Sequence, residues 1–163
     1  MRVLALDQAL AISGWAVFDN DKLVAANTFS VPKTASMESR LGAIYKHLTE
    51  LYHEYEFEKV YFEDIQLQAG NALTYKHLAY AQAVILLWCW HMDIEWGVLA
   101  PSHWRKELGG SFGRKRADQK RHAIDLVSDW YGVTVPSDVA DAICIGRAAL
   151  KERRKPVAFD ESN

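Results

Sequence analysis

Four acidic residues stand where a carboxylate is costly unless something holds it. Asp7 ends the apolar run Val3-Leu4-Ala5-Leu6, and Glu63 ends Lys59-Val60-Tyr61-Phe62. Asp138 and Asp141 sit among core-type residues in SDVADAICIG, spaced i, i+3 so that they share one helix face. Each has a bland account when taken alone. Asp7 could cap a turn, Glu63 could be a solvated strand end, and acids at a helix start are favoured by the dipole. As a set they are less ordinary. Carboxylates brought together repel one another unless cations lie between them. Hard oxygen donors of this kind select Mg²⁺ or Mn²⁺. Two such ions about 3.5–4 Å apart can clamp the attacking and leaving oxygens of a phosphoryl transfer.

The elements that must position these acids follow from the hydrophobic pattern. Val3–Leu6 reads as a buried strand, Gly14–Phe18 as a second, and Lys22–Val31 as a third after the turn Asp19-Asn20-Asp21, together a meander. Pro32 ends it, and Thr34 or Ser36 caps a helix carrying Leu41, Ile44, Tyr45, Leu48, Leu51 and Tyr52. Lys59–Phe62 is the fourth strand. Asn71 caps a helix over Ala72–Met92 whose apolar residues run round much of its circumference, the mark of a central or partner-covered helix. Ile94–Leu99 is a fifth strand, stopped by Pro101. Helices over Ser102–Leu108, Ala117–Tyr131 and Ser137–Lys151 follow, the last opened by Pro136. The order βββ-α-β-α-β plus helices predicts an α/β fold: a mixed sheet with helices on both faces. If the first strand is central and beside the fourth, the acids converge.

At 163 residues the chain is expected to form one domain over 1–151, with a polar tail over 152–163. Its most apolar stretch, Ala79–Trp90, is shorter than the ~20 residues a membrane span needs. The chain opens directly on a charged strand, so no signal peptide is expected. Cys89 and Cys144 lie far apart in apolar surroundings, as buried thiols of a reducing cytoplasm do. His47, His53, His77, His91, His103 and His122 are scattered singly, and GGSFG lacks the Gly-Lys-Ser/Thr of a phosphate loop. The net charge of −2 hides an asymmetry. Residues 1–102 hold 7 Lys/Arg against 12 Asp/Glu, and residues 103–155 hold 12 against 7. That asymmetry admits a polyanionic partner without requiring one. Arg105, Lys106, Arg114, Lys115, Arg116, Lys120 and Arg121 fit a nucleic-acid face, although Lys120 and Arg121 read equally as the solvated side of a helix. Arg114-Lys115-Arg116 beside flexible glycines favours DNA phosphates, which dominate affinity without being read as sequence.

The segments LALDQALAISGWAV, VYFEDI, VLAPSHWRKELGG and SDVADAICIGRAAL resemble the RuvC-type Holliday junction resolvases of the RNase H-like superfamily, in a form typical of phage-encoded relatives. The resemblance covers nearly the whole chain. It implies an RNase H-like five-stranded sheet, with Asp7, Glu63, Asp138 and Asp141 as catalytic ligands of two Mg²⁺ or Mn²⁺ ions. It also implies a homodimer formed through Ala72–Met92, and paired nicking of Holliday junctions and other branched DNA, with no small-molecule cofactor and no membrane. For a phage-encoded chain the compartment is the host cytoplasm. Two departures stand out: the family's usual Asp-Pro-Gly is Asp7-Gln8-Ala9, and Ile65-Gln66-Leu67-Gln68 carries no aromatic after the second acid. The competing readings are a non-catalytic branched-DNA-binding protein and an RNase H-like nuclease with another substrate. An actin-like nucleotide-binding domain also starts with a strand, an acid and a hairpin, but it needs more length and a second phosphate loop.

Overall fold

The first strand, β1 (Arg2–Asp7), is apolar at every interior position because it is covered on both sides. In a computed structural model, which describes residues 1–153, it lies at the centre of a five-stranded sheet of order β3-β2-β1-β4-β5. Strands β2 (Ile12–Asp19) and β3 (Lys22–Ser30) complete the antiparallel meander. Strands β4 (Lys59–Glu63) and β5 (Glu95–Leu99) run parallel to β1. The predicted mixed sheet is the one observed. Asn20 turns the β2–β3 hairpin at φ 53°, a conformation asparagine tolerates.

Successive strand residues point to opposite faces, which divides the core in two. Val3, Ala5, Ala16, Phe18 and Tyr61 meet helices α3 (Pro101–Leu108), α4 (Arg116–Tyr131) and α5 (Ser137–Arg153). Leu4, Leu6, Val17, Val60 and Phe62 meet α1 (Met37–Tyr55) and α2 (Ala72–Met92). Ser36 caps α1 by accepting from the Ser39 amide, whereas Asn71 makes no side-chain cap to α2. Pro101, expected to stop β5, is also the first residue of α3, where its missing N–H costs nothing. Glu152 and Arg153, expected in the tail, extend α5; the rest of the tail lies outside the described residues.

Helix α5 is buried along most of its length, from Val139 to Leu150. It lies on β1 and β2 at glycine-limited distances. A Cβ on Gly146 would fall 2.3 Å from the Phe18 ring and 3.1 Å from the Ala5 methyl. Cys89 and Cys144 are free, buried and in opposite core layers, so they cannot pair. Burial pushes the Cys89 thiol up to about 12 and the Cys144 thiol higher still, leaving both inert. Among the described residues no helix is long and apolar enough to cross a membrane.

Candidate active site

Strand parity decides where the first two acids project. Asp7 continues the alternation of Val3 and Ala5, and Glu63 continues that of Tyr61, all of which face α5. The last ladder pair between the two strands is Leu6 with Phe62, so Asp7 and Glu63 emerge side by side at one sheet end. Helix α5 delivers Asp138 from its first turn and Asp141 from the start of its second to the same place. All four predicted acids thus converge.

Their electrostatics agree. Burial, followed by the charges of Asp141, Glu63 and Asp138, holds the Asp7 carboxyl well above the usual carboxylate range. Asp141 is pushed from 3.8 to about 7, first by burial and then by the charge of Glu63. Glu63 is also raised by burial, but less freely, because the Trp104 indole Nε1 donates to its Oε2 at 2.6 Å. Carboxylates raised by burial and by one another are what a divalent cation relieves, so the donor set fits a hard divalent cation.

Part of the basic segment closes over this group. The charge of Lys120 acts on Asp7 and Asp141, that of Arg105 on Glu63 and Asp141, and that of Arg116 on Glu63. Lys120 is held by donating to Ser137 Oγ at 3.3 Å, beside Asp138. Arg105 lies over the Trp104 ring, 4.8 Å from its centroid. Lys106, Arg114, Lys115 and Arg121 are exposed. A cavity of about 480 Å³, lined by Gln66, Ser102, Arg105, Lys106 and Gln119 among others, shares Arg105 with this group, and none of the four acids lines it.

Three residues of the site escape a reading by residue type. Trp104 orients Glu63 from 41 positions away, and only its place before Arg105-Lys106 hints at it. Gln8 donates Nε2 to the Glu63 backbone carbonyl at 2.6 Å. Gly14, paired with Asp7 in the β1–β2 ladder, touches the backbone of Asp138. The histidines need one correction. His103 gathers with Glu107 and Glu152, ligand atoms within 4.8 Å of one another, because α3 and the end of α5 meet. His103 contacts Glu152 directly there, and none of the four acids belongs to the trio. Of the helix expected to pair, Ile85 is core at 1% exposure, whereas Leu73, Tyr80, Leu87 and Trp90 form an uncovered stripe.

Comparison with known proteins agrees with this geometry. The family model described as crossover junction endodeoxyribonuclease RuvC matches residues 3–148. The RuvC of Thermomicrobium roseum is 27% identical over 94% of this chain and 99% of its own. That of Rickettsia akari is 28% identical over 89% and 94%. Among solved structures, Thermus thermophilus RuvC in complex with Holliday junction substrate superposes with a TM-score of 0.76 at 20% identity, covering 94% of this chain and 96% of that one. A fowlpox virus resolvase in complex with Holliday junction DNA superposes at 0.63 and 16% identity, covering 95% and 100%. Both structural likenesses speak to the shared fold, a mixed five-stranded sheet of the RNase H-like type. With a match running from the first strand into the last helix, the chain belongs to the crossover junction endodeoxyribonuclease RuvC family.

Proposed function

We propose that this protein is a metal-dependent endonuclease that resolves four-way DNA junctions, and cuts other branched DNA, by paired nicks. The observation that carries this reading is the convergence of Asp7, Glu63, Asp138 and Asp141 at one sheet end beneath a basic rim. These four acids would hold two Mg²⁺ or Mn²⁺ ions. When bound, the ions would supply Lewis-acid stabilisation of the charge that develops on the scissile phosphate. The chain does the positioning. Trp104 fixes the Glu63 carboxylate, and the charges of Arg105, Arg116 and Lys120 offset the acids and favour a phosphate close to them. Lys106, Arg114, Lys115 and Arg121 extend the rim toward flanking phosphates.

The same reading takes residues 1–151 as a single nuclease domain and a second copy of the chain as partner. Tyr75 is exposed on another side of α2, while Leu73, Tyr80 and Leu87 recur every seven residues along the helix, with Trp90 about one turn on, so they form one stripe. Pairing it across a two-fold axis would set two sites on opposed strands. Buried free thiols support the cytoplasm, a host's for a phage-encoded chain, as the compartment.

The test is to incubate a synthetic four-way junction, a flap, a linear duplex and an RNA–DNA hybrid with the protein and Mg²⁺. The expected result is symmetric nicks in the junction, lost in Asp7→Asn, Glu63→Gln and Asp141→Asn while junction binding in Ca²⁺ persists. A junction that is bound and never cut would favour a binding protein. Preferential cutting of the hybrid would favour a different RNase H-like substrate.

A further inference from the structure

Gln8 bridges the ends of β1 and β4 with its side chain. It directly follows Asp7, yet it is only 7% exposed. Its Nε2 donates to the Glu63 backbone carbonyl at 2.6 Å, one residue beyond the last β1–β4 ladder pair. The side chain thereby ties together the two strand ends that carry Asp7 and Glu63.

That bond also orients the amide. A backbone carbonyl only accepts, so the nitrogen must face Glu63 and the oxygen must face away. Gln8 Oε1 is buried and has no hydrogen-bond partner. A buried acceptor without a donor is unfavourable, and such groups are few in native proteins. The neighbouring acids cannot satisfy it while ionised, because a carboxylate has no proton to donate. A hydrated divalent cation can. Mg²⁺ keeps several of its waters, whose hydrogens need acceptors, and amide oxygens are themselves acceptable hard ligands.

We propose that Gln8 is a positioning residue for the divalent cation: its nitrogen spaces Asp7 against Glu63, and its oxygen serves the cation's ligand and water shell. This rests on the metal-site reading of the four acids.

The experiment measures Mn²⁺ affinity by the spin-resonance signal of free Mn²⁺, with melting temperature in EDTA as the control for folding. Gln8→Met keeps the length and removes both polar atoms. Gln8→Glu keeps oxygen acceptors and loses the donor. Gln8→Met is expected to weaken Mn²⁺ binding by about tenfold or more, the usual effect of losing an outer-shell partner, and Gln8→Glu, which loses the tie but keeps an oxygen acceptor, to weaken it clearly less. Gln8→Pro is a second amide-free variant in case Gln8→Met does not fold. Equal weakening by Gln8→Met and Gln8→Glu would mean that the tie to Glu63 is all that matters. Wild-type affinity in the amide-free variants would likewise overturn the proposal. Asp7→Asn separates the two levels. If it abolishes Mn²⁺ binding while Gln8→Met does not weaken it, only the role of Gln8 falls. If wild type and Asp7→Asn bind alike, or neither binds, the metal site itself falls and the role of Gln8 with it.

Discussion

Gly14 and Asp138 meet backbone to backbone: a Cβ on Gly14 would lie 1.9 Å from the Asp138 carbonyl oxygen and 2.3 Å from its carbonyl carbon. Because Gly14 pairs with Asp7 across the β1–β2 ladder, this approach sets how near the first turn of α5 comes to Asp7. Gly14→Ala must push that turn away, since the obstacle is backbone and cannot rotate aside. Displacements near 1 Å at a reacting centre cost about 100-fold in rate. Gly14→Ala is expected to lose cleavage to about that extent while still binding junctions in Ca²⁺. Unchanged single-turnover cleavage would show that the close approach is dispensable.

Trp104→Phe removes the donor to Glu63 Oε2 and little of the packing against Phe112. A carboxylate that loses a donor becomes easier to protonate, so the acidic limb of the pH–rate profile should move to higher pH. Cleavage at neutral pH should fall about 10- to 100-fold, as for other groups that orient a metal ligand. An unshifted profile would assign Trp104 to the core alone.

Stability without metal should depend on pH in an unusual direction. Asp7 and Asp141 titrate higher in the folded protein than in the unfolded chain, Asp141 at about 7 against 3.8. Their protonated forms favour the native state. This contribution is complete below the unfolded value and, for Asp141, is lost as pH rises through about 7. In EDTA, urea melts should therefore show lower stability at pH 8 than at pH 5. Asp141→Asn should be more stable than wild type at pH 8 by on the order of 2 kcal/mol. Mg²⁺ should reverse the trend, because its ligands must first lose their protons. Metal-free stability that rises from pH 5 to pH 8 would contradict the burial of these acids.

On α2, Leu87 is 58% exposed and Trp90 79%, whereas Ile85 is 1% exposed. Asp at Leu87 and Trp90 together should give a folded monomer by sedimentation, with nicks in the two opposed strands no longer coupled. Asp at Ile85 should instead unfold the protein, since an unpaired charge would enter the core. A wild type that sediments as a monomer at micromolar concentration would remove the dimer.

Replacing Arg114, Lys115 and Arg116 with Ala should weaken binding to junctions of every sequence alike. The slope of log K against log salt should become shallower by about 0.9 for each phosphate that is no longer neutralised. Fluorescence anisotropy in Ca²⁺ across several salt concentrations reads both effects. An unaltered slope would leave this loop as surface only.

What the sequence determined by itself is local. The apolar runs of β1 and β4, each closed by an acid, and the i, i+3 pair Asp138 and Asp141 are patterns of period 2 and 3.6 read within a few residues. The tertiary structure alone decided the pairings across long separations. Trp104 to Glu63 spans 41 positions and depends on β5, which leads into α3, lying beside β4; Gln8 to Glu63 spans 55 and depends on β1 lying beside β4. Lys120 looks like one more cation on a solvated helix until α4 packs against α5 and brings it to Ser137 and the charge of Asp141. Helix α2 is the clearest case. It is apolar all round, so its periodicity carries no direction, and only packing against α1 and the sheet turned Ile85, Trp88 and Cys89 inward and left Leu87 and Trp90 outside.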